Sequence, residues 1–66
     1  MFNNLRAELV RRNIKPIELA EQVNMNYRTL MNRLAGKSDF NLPEMKSIKS
    51  FLKDPTLTLD YLFENN

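Results

Sequence analysis

PIELAEQVNMNYRTLMNRLAGK, residues 16 to 37, carries the signals of two helices and of the break between them. Pro16 is well placed at the first position of a helix, where its missing N–H costs nothing. Ile17, Leu19, Ala20 and Val23 give that helix its apolar side. Lys15 would be its N-cap, and lysine is a poor one. Asn24-Met25-Asn26 is a break. Asn24 stands where a sharp turn needs a left-handed residue, and asparagine is among the few non-glycine residues that tolerate this. Asn26 is a good N-cap for a further helix from Tyr27 to about Ala35, closed by Gly36, the chain's only glycine. The outward positions of that helix hold Tyr27, Arg28, Met31 and Asn32, a mixture of phenol, guanidinium, thioether and amide.

The flanking sequence has the same punctuation. Phe2, Leu5 and Leu9 recur at three- and four-residue steps, so a first helix of about ten residues is expected, with Asn3 or Asn4 as N-cap. RRNIK ends it, with Arg11 and Arg12 complementing the dipole. Asn41 opens a fourth helix, with Pro43 two positions in and Glu44 at the capping-box position. Leu42, Met45, Ile48, Phe51 and Leu52 are its expected buried side, and KDPT stops it, because proline disfavours helix at the residue before it. Thr58 can cap a last short helix, LDYLFE, that lays Leu59, Leu62 and Phe63 over the core. No repeat, low-complexity tract, strand alternation or linker interrupts the pattern. The expectation is an all-α fold, a compact bundle of five helices forming a single domain over residues 1–66.

A chain of 66 residues lies near the lower limit for a self-supporting core, and with no cysteine it has no disulfide to help and no thiolate to bind metal. Without histidine it also lacks the commonest general base and the commonest neutral metal ligand. Glu18 and Glu21, one turn apart, are read most simply as a solvated helix face. An enzyme is not expected, and neither is a cofactor, a metal or a small-molecule substrate. No apolar run is long enough to span a bilayer and the N-terminus has no signal-peptide pattern, so a soluble cytoplasmic protein is expected. The net charge of +2 is unevenly spread. Residues 1–37 carry seven basic side chains against three acidic, a net +4, whereas residues 38–66 carry three against five, a net −2. A basic half can face a polyanion while the acidic half faces elsewhere.

Two helices joined by a tight turn are the ingredients of a helix-turn-helix. Leu19 and Val23 lie one turn apart on the second helix, Leu30 is the inward residue of the third, and small Ala20 lies where the axes cross. The N-terminal, outward side of the third helix is left free, the part that such motifs place in the major groove. At these residues the sequence resembles the lambdoid-phage repressors and Cro proteins, the Xre-type regulators. The likeness extends over nearly the whole chain. LRAELVRRNIKPIELAEQVN looks like the family's first two helices and TLDYLF like its closing helix, while LAGKSDFNLPEMKSIKSFL resembles small Cro-like regulators from phages of Gram-positive hosts. The sequence departs from the family pattern in three places. Asn24 replaces the usual turn glycine. Leu9 and Leu34 occupy positions where members often carry an Arg–Glu ion pair, a joint change that strands no charge. Arg33 stands where many members bury a large apolar residue, a role that Leu34 takes over, leaving Arg33 at the surface.

The resemblance implies a lambda-repressor-like regulator that binds double-stranded operator DNA and acts by occlusion. It places base contacts at Asn26, Tyr27, Arg28 and Asn32. Arg28 can donate two hydrogen bonds to guanine, Asn32 can pair with adenine, and Tyr27 can meet a thymine methyl or a phosphate. Asn26 is equally well read as a helix cap only. Phosphate contacts are expected at Lys15 and Pro16, where a helix N-terminus presents N–H groups, at Lys37 and Ser38 beyond Gly36, and at Arg33. A weak homodimer, formed in solution or only on DNA, is expected through the turn before the last helix, with Pro55, Leu57 and Leu59 as its surface and Leu57 surplus to the core. Two alternatives stay open. One is an antirepressor that binds another regulator through the stripe of Tyr27 and Met31. The other is an antitoxin-like module with the same fold.

Overall fold

Helix starts and stops in this chain are set by a few side chains, and the computed structural model, which describes residues 1–65, shows each at work. Five helices follow in order: α1 (Asn3–Arg11), α2 (Pro16–Gln22), α3 (Tyr27–Leu34), α4 (Leu42–Leu52) and α5 (Leu59–Leu62). No strand occurs among the described residues. The fold is all-α.

α1 begins one residue earlier than its asparagines suggest. Phe2 is the N-cap and makes no side-chain capping bond. Its ring is drawn into the core, edge-on to Phe40 at 5.1 Å and to Phe63 at 6.3 Å, and its N–H donates to the Leu34 carbonyl at 3.2 Å. That anchoring fixes where the helix begins, so Asn3 and Asn4 fall inside it. Asn4 instead donates from Nδ2 to the Tyr61 carbonyl at 2.9 Å and to Glu64 at 3.0 Å, tying α1 to the C-terminal segment. At the other end Asn13 turns left-handed (φ 57°), and the Ile14 N–H reaches back to the Leu9 carbonyl.

α2 starts at Pro16 after an extended Lys15, whose side chain accepts nothing; the Glu18 carboxylate takes the Lys15 N–H at 3.1 Å instead. Asn24 adopts the left-handed conformation expected of it (φ 56°), and the Met25 N–H closes the turn on the Ala20 carbonyl at 2.8 Å. Asn26 Oδ1 accepts from the backbone N–H groups of Arg28 (2.9 Å) and Thr29 (3.3 Å), the N-cap of α3. Gly36 (φ 84°) ends that helix, and a Cβ there would stand 3.0 Å from the Met1 nitrogen.

The capping box of α4 is present in both directions. Asn41 Oδ1 accepts from Glu44 N–H at 2.8 Å, and Glu44 accepts from Asn41 N–H at 2.9 Å. Its C-terminus is less expected: Lys53, not a glycine, takes the left-handed position (φ 55°). Asp54 then closes a turn on Thr56, accepting from its N–H (2.9 Å) and its hydroxyl (2.6 Å). Thr58 caps α5 as expected, accepting from Tyr61 N–H at 3.1 Å, but the helix ends at Leu62 rather than running on to Glu64.

Leu5, Leu19, Leu30, Leu34, Ile48 and Leu62 are the fully buried centre, and α2 and α3 pack on each other. Four expectations about the core need correction. Ile17 is 49% exposed, because at 3.6 residues per turn it lies about 60° beyond Ala20, outside the arc of Leu19, Ala20 and Val23. Leu42 is exposed, at the first position of α4 and past the end of the core. Leu57 is not surplus: it is 8% exposed and belongs to the core. Leu59 is only half-buried, and Phe40, which no periodic segment claimed, is buried between Phe2 and Phe63.

Candidate nucleic-acid interface

α3 is held from within by Leu30 and Leu34 and from its start by the Asn26 cap, so its other side stands clear. Asn26, Tyr27, Arg28 and Asn32 are all exposed. Arg28 and Asn32 are one helical turn apart, and neither the guanidinium nor the amide has a hydrogen-bonding or ionic partner among the described residues. A guanidinium fork and an amide presented together on a rigid helix match the paired donors and acceptors on guanine and adenine edges. Met31 does not belong with them. It is half-buried, packs against the core, and lines a cavity of about 100 Å³ with Leu9, Val10, Ile14 and Leu34.

Around this face the expected phosphate-binding residues divide. Lys15 is exposed beside half-buried Pro16, and Lys37 and Ser38 are exposed just beyond Gly36. Arg33 is differently placed: its Nε meets the Glu44 carboxylate at 3.0 Å and the Asp39 carbonyl at 3.1 Å, so its charge is already compensated. Of the expected dimer residues, Pro55 is exposed, Leu59 is half-buried and Leu57 is withdrawn into the core.

A cavity of about 350 Å³ lies beside the start of α3, lined by Ile17, Ala20, Glu21, Asn24, Met25, Asn26 and Tyr27. Ile17, expected in the core, stands in its wall.

Sequence reasoning also missed a polar hub. Glu8 is buried, 2% exposed, and accepts from the Tyr61 hydroxyl at 2.7 Å, from Arg11 at 2.8 Å and from Arg12. Arg12 continues to Asp54 at 2.7 Å, so α1 is joined to α5 and to the loop before it. The Tyr61 hydroxyl, then the Arg12 hydrogen bond, hold the Glu8 carboxyl below its ordinary range against the opposing effect of burial, with the charges of Arg11 and Arg12 adding to them. Thr56 and then Arg12 lower Asp54 in the same way, and the Glu8 carboxylate raises the Tyr61 phenol. Arg11 lies in the last turn of α1, where it complements the helix dipole as expected, and both Arg11 and Arg12 are also held by Glu8. The signal was present, since Leu5, Glu8, Leu9 and Arg12 share one face of a helix.

Among the described residues no cluster of three or more acidic, histidine or cysteine side chains is arranged to hold a metal. Nor is any helix among the described residues long and apolar enough to cross a membrane. No protein-family model matches the chain, and neither does any curated protein or solved structure.

Proposed function

We propose that this protein is a sequence-specific DNA-binding regulator of transcription, a lambda-repressor-like helix-turn-helix domain of the phage Cro type working in the cytoplasm of a bacterial host. α2 and α3 form the motif, and α3 enters the major groove of operator DNA. The observation that carries the reading is the unpaired Arg28 and Asn32 on the exposed face of a helix fixed at both ends. Arg28 reads guanine and Asn32 adenine, while Asn26, already the cap, offers its amide N–H groups, and Tyr27 its hydroxyl. The N-terminus of α2 at Lys15 and Pro16 takes one phosphate, and Lys37 with Ser38 takes another. Arg33, engaged by Glu44, plays the smaller part.

There is no chemical step and no cofactor. Two copies cover two half-sites about one helical turn apart and exclude competing proteins. With Leu57 in the core, the contact between copies falls to Pro55 and Leu59 at most, which favours a pair formed only on DNA. The alternative, an antirepressor binding through Tyr27 and Met31, is weakened because Met31 is turned toward the core.

Selection of bound duplexes from a random pool tests the reading. A palindromic consensus is expected, with affinity falling steeply as salt rises because bound counterions are released. Failure to enrich any sequence, or binding indifferent to salt, contradicts it.

A further inference from the structure

The smaller cavity, of about 100 Å³, has walls that are almost wholly apolar. Leu9 and Leu34 are its buried members, Met31 is half-buried, and Val10 stands 80% exposed. No other large hydrophobic residue among those described is as exposed as Val10. A lone apolar side chain on a surface is ordinary, but this one adjoins a hollow that leads inward to the core.

Volume restricts what can enter. A cavity of about 150 Å³ lined by aliphatic and aromatic side chains takes a benzene ring. The smaller space here suits one branched aliphatic side chain better than an aromatic one. Charge restricts what lies next to it. The only ionic group in the lining is the Arg6 guanidinium, one helical turn before Val10, and no carboxylate lines the hollow. Arg6 is exposed and has no hydrogen-bonding or ionic partner among the described residues. Lys15, the neighbour of Pro16 in the same lining, is exposed too, and its ammonium is in no ion pair among the described residues. Unpaired cations beside an apolar hollow complement an aliphatic side chain that has carboxylates next to it.

We propose that the hollow between α1 and α3 is a docking site for an acidic peptide segment of a partner protein. The segment seats one leucine-like side chain against Val10 and Met31 and sets its carboxylates against Arg6 and Lys15. Arg28 and Asn32 do not line the hollow, and the proposal does not depend on the DNA-binding reading. One side chain in a small hollow makes a weak, transient contact.

The test follows amide and methyl NMR signals of the whole chain as an end-blocked pentapeptide is added, a central leucine with two glutamates on each side. Saturable shifts are expected at Arg6, Val10, Ile14 and Met31, with a dissociation constant in the millimolar range. An alanine-centred peptide is expected to bind about tenfold more weakly or worse, the loss of most of a buried aliphatic side chain. Arg6→Gln is expected to cost about two- to fivefold, as the loss of an exposed ion pair does, and Val10→Gln to remove most of the binding. Both residues are exposed, so both variants should fold, which circular dichroism checks. Three results overturn the proposal: no saturable shift at these residues, equal binding of a peptide with lysines in place of the glutamates, or tighter binding of a phenylalanine-centred peptide. Concentration-dependent shifts at the same residues without peptide also overturn it, because they assign the hollow to a second copy of the chain. None of these outcomes bears on DNA binding.

Discussion

Glu8→Ala isolates the hub that ties the two ends of the chain together, and its cost can be worked from the geometry. The Glu8 carboxylate is buried and serves three donors, the Tyr61 hydroxyl and the guanidinium groups of Arg11 and Arg12. Removing one member of a buried ion pair typically costs about 3–5 kcal/mol, mostly because the partner is left unpaired. Here neither cation is stranded. The Arg11 side chain is 69% exposed and rehydrates where it stands, and Arg12 keeps Asp54 at 2.7 Å. The expected loss therefore falls below that range, to about 2–3 kcal/mol. For 66 residues the whole stability is about 3–10 kcal/mol, so the substitution removes a large share of it. Urea denaturation followed by circular dichroism measures this directly. With a slope of about 1 kcal/mol per molar for so small a domain, the midpoint is expected to drop by about 2–3 M. Glu8→Gln keeps the shape but turns an amide donor toward groups that are themselves donors, so it should lose a comparable amount. If both variants unfold within about 0.5 kcal/mol of the parent at unchanged slope, the hub is not holding the helices and the argument fails.

The same hub sets the pH response, and the signs are fixed by the directions of the shifts. Glu8 and Asp54 have lowered folded values, so their contribution is full above the ordinary carboxylate range and is lost as pH falls through the folded values. Tyr61 is raised, so its contribution is full below the ordinary phenol value and is lost as pH climbs through the folded one. Urea midpoints measured across pH should decline at both ends for the parent. Glu8→Gln should flatten both limbs, leaving the part of the acid limb that belongs to Asp54.

Lys53→Gly is expected to raise stability by a few tenths to about 1 kcal/mol, since a left-handed lysine is strained by more than a glycine there adds in unfolded-state entropy; a lowered urea midpoint would count against the strain. Leu57→Ala should cost about 2–3 kcal/mol, as a core residue does, whereas a surface dimer residue would leave the monomer's melting unchanged. Arg28→Ala should weaken the selected duplex far more than random duplex, while Lys37→Ala weakens both alike and lowers the salt slope by about one, and equal losses for Arg28→Ala on both duplexes would remove it from base recognition.

What the sequence made legible was whatever a few neighbouring residues decide among themselves. The caps at Asn26, Asn41 and Thr58 and the left-handed turn at Asn24 each need only a side-chain oxygen or a tolerant backbone within three residues, and all four are where local chemistry puts them. Choices settled by distant groups were not legible in this way. Phe2 begins α1 because Leu34, Phe40 and Phe63 capture it, and at Lys53, which is not a glycine, the chain turns left-handed to end α4. Glu8 is a different case. Its place on the stripe of Leu5 and Leu9 was open to inspection, with two arginines one turn on to receive it, but a count of charges alone does not show it. Arg28 is the contrast that makes the candidate site arguable. It lies off the stripe of Leu30 and Leu34 and has no acid within reach, so the fold neither buries nor neutralises it. Two charged residues on two helices thus part company by one criterion, whether the core face claims the position. Where it does not, as at Arg28 and Asn32, the side chains stand in solvent with no partner among the described residues.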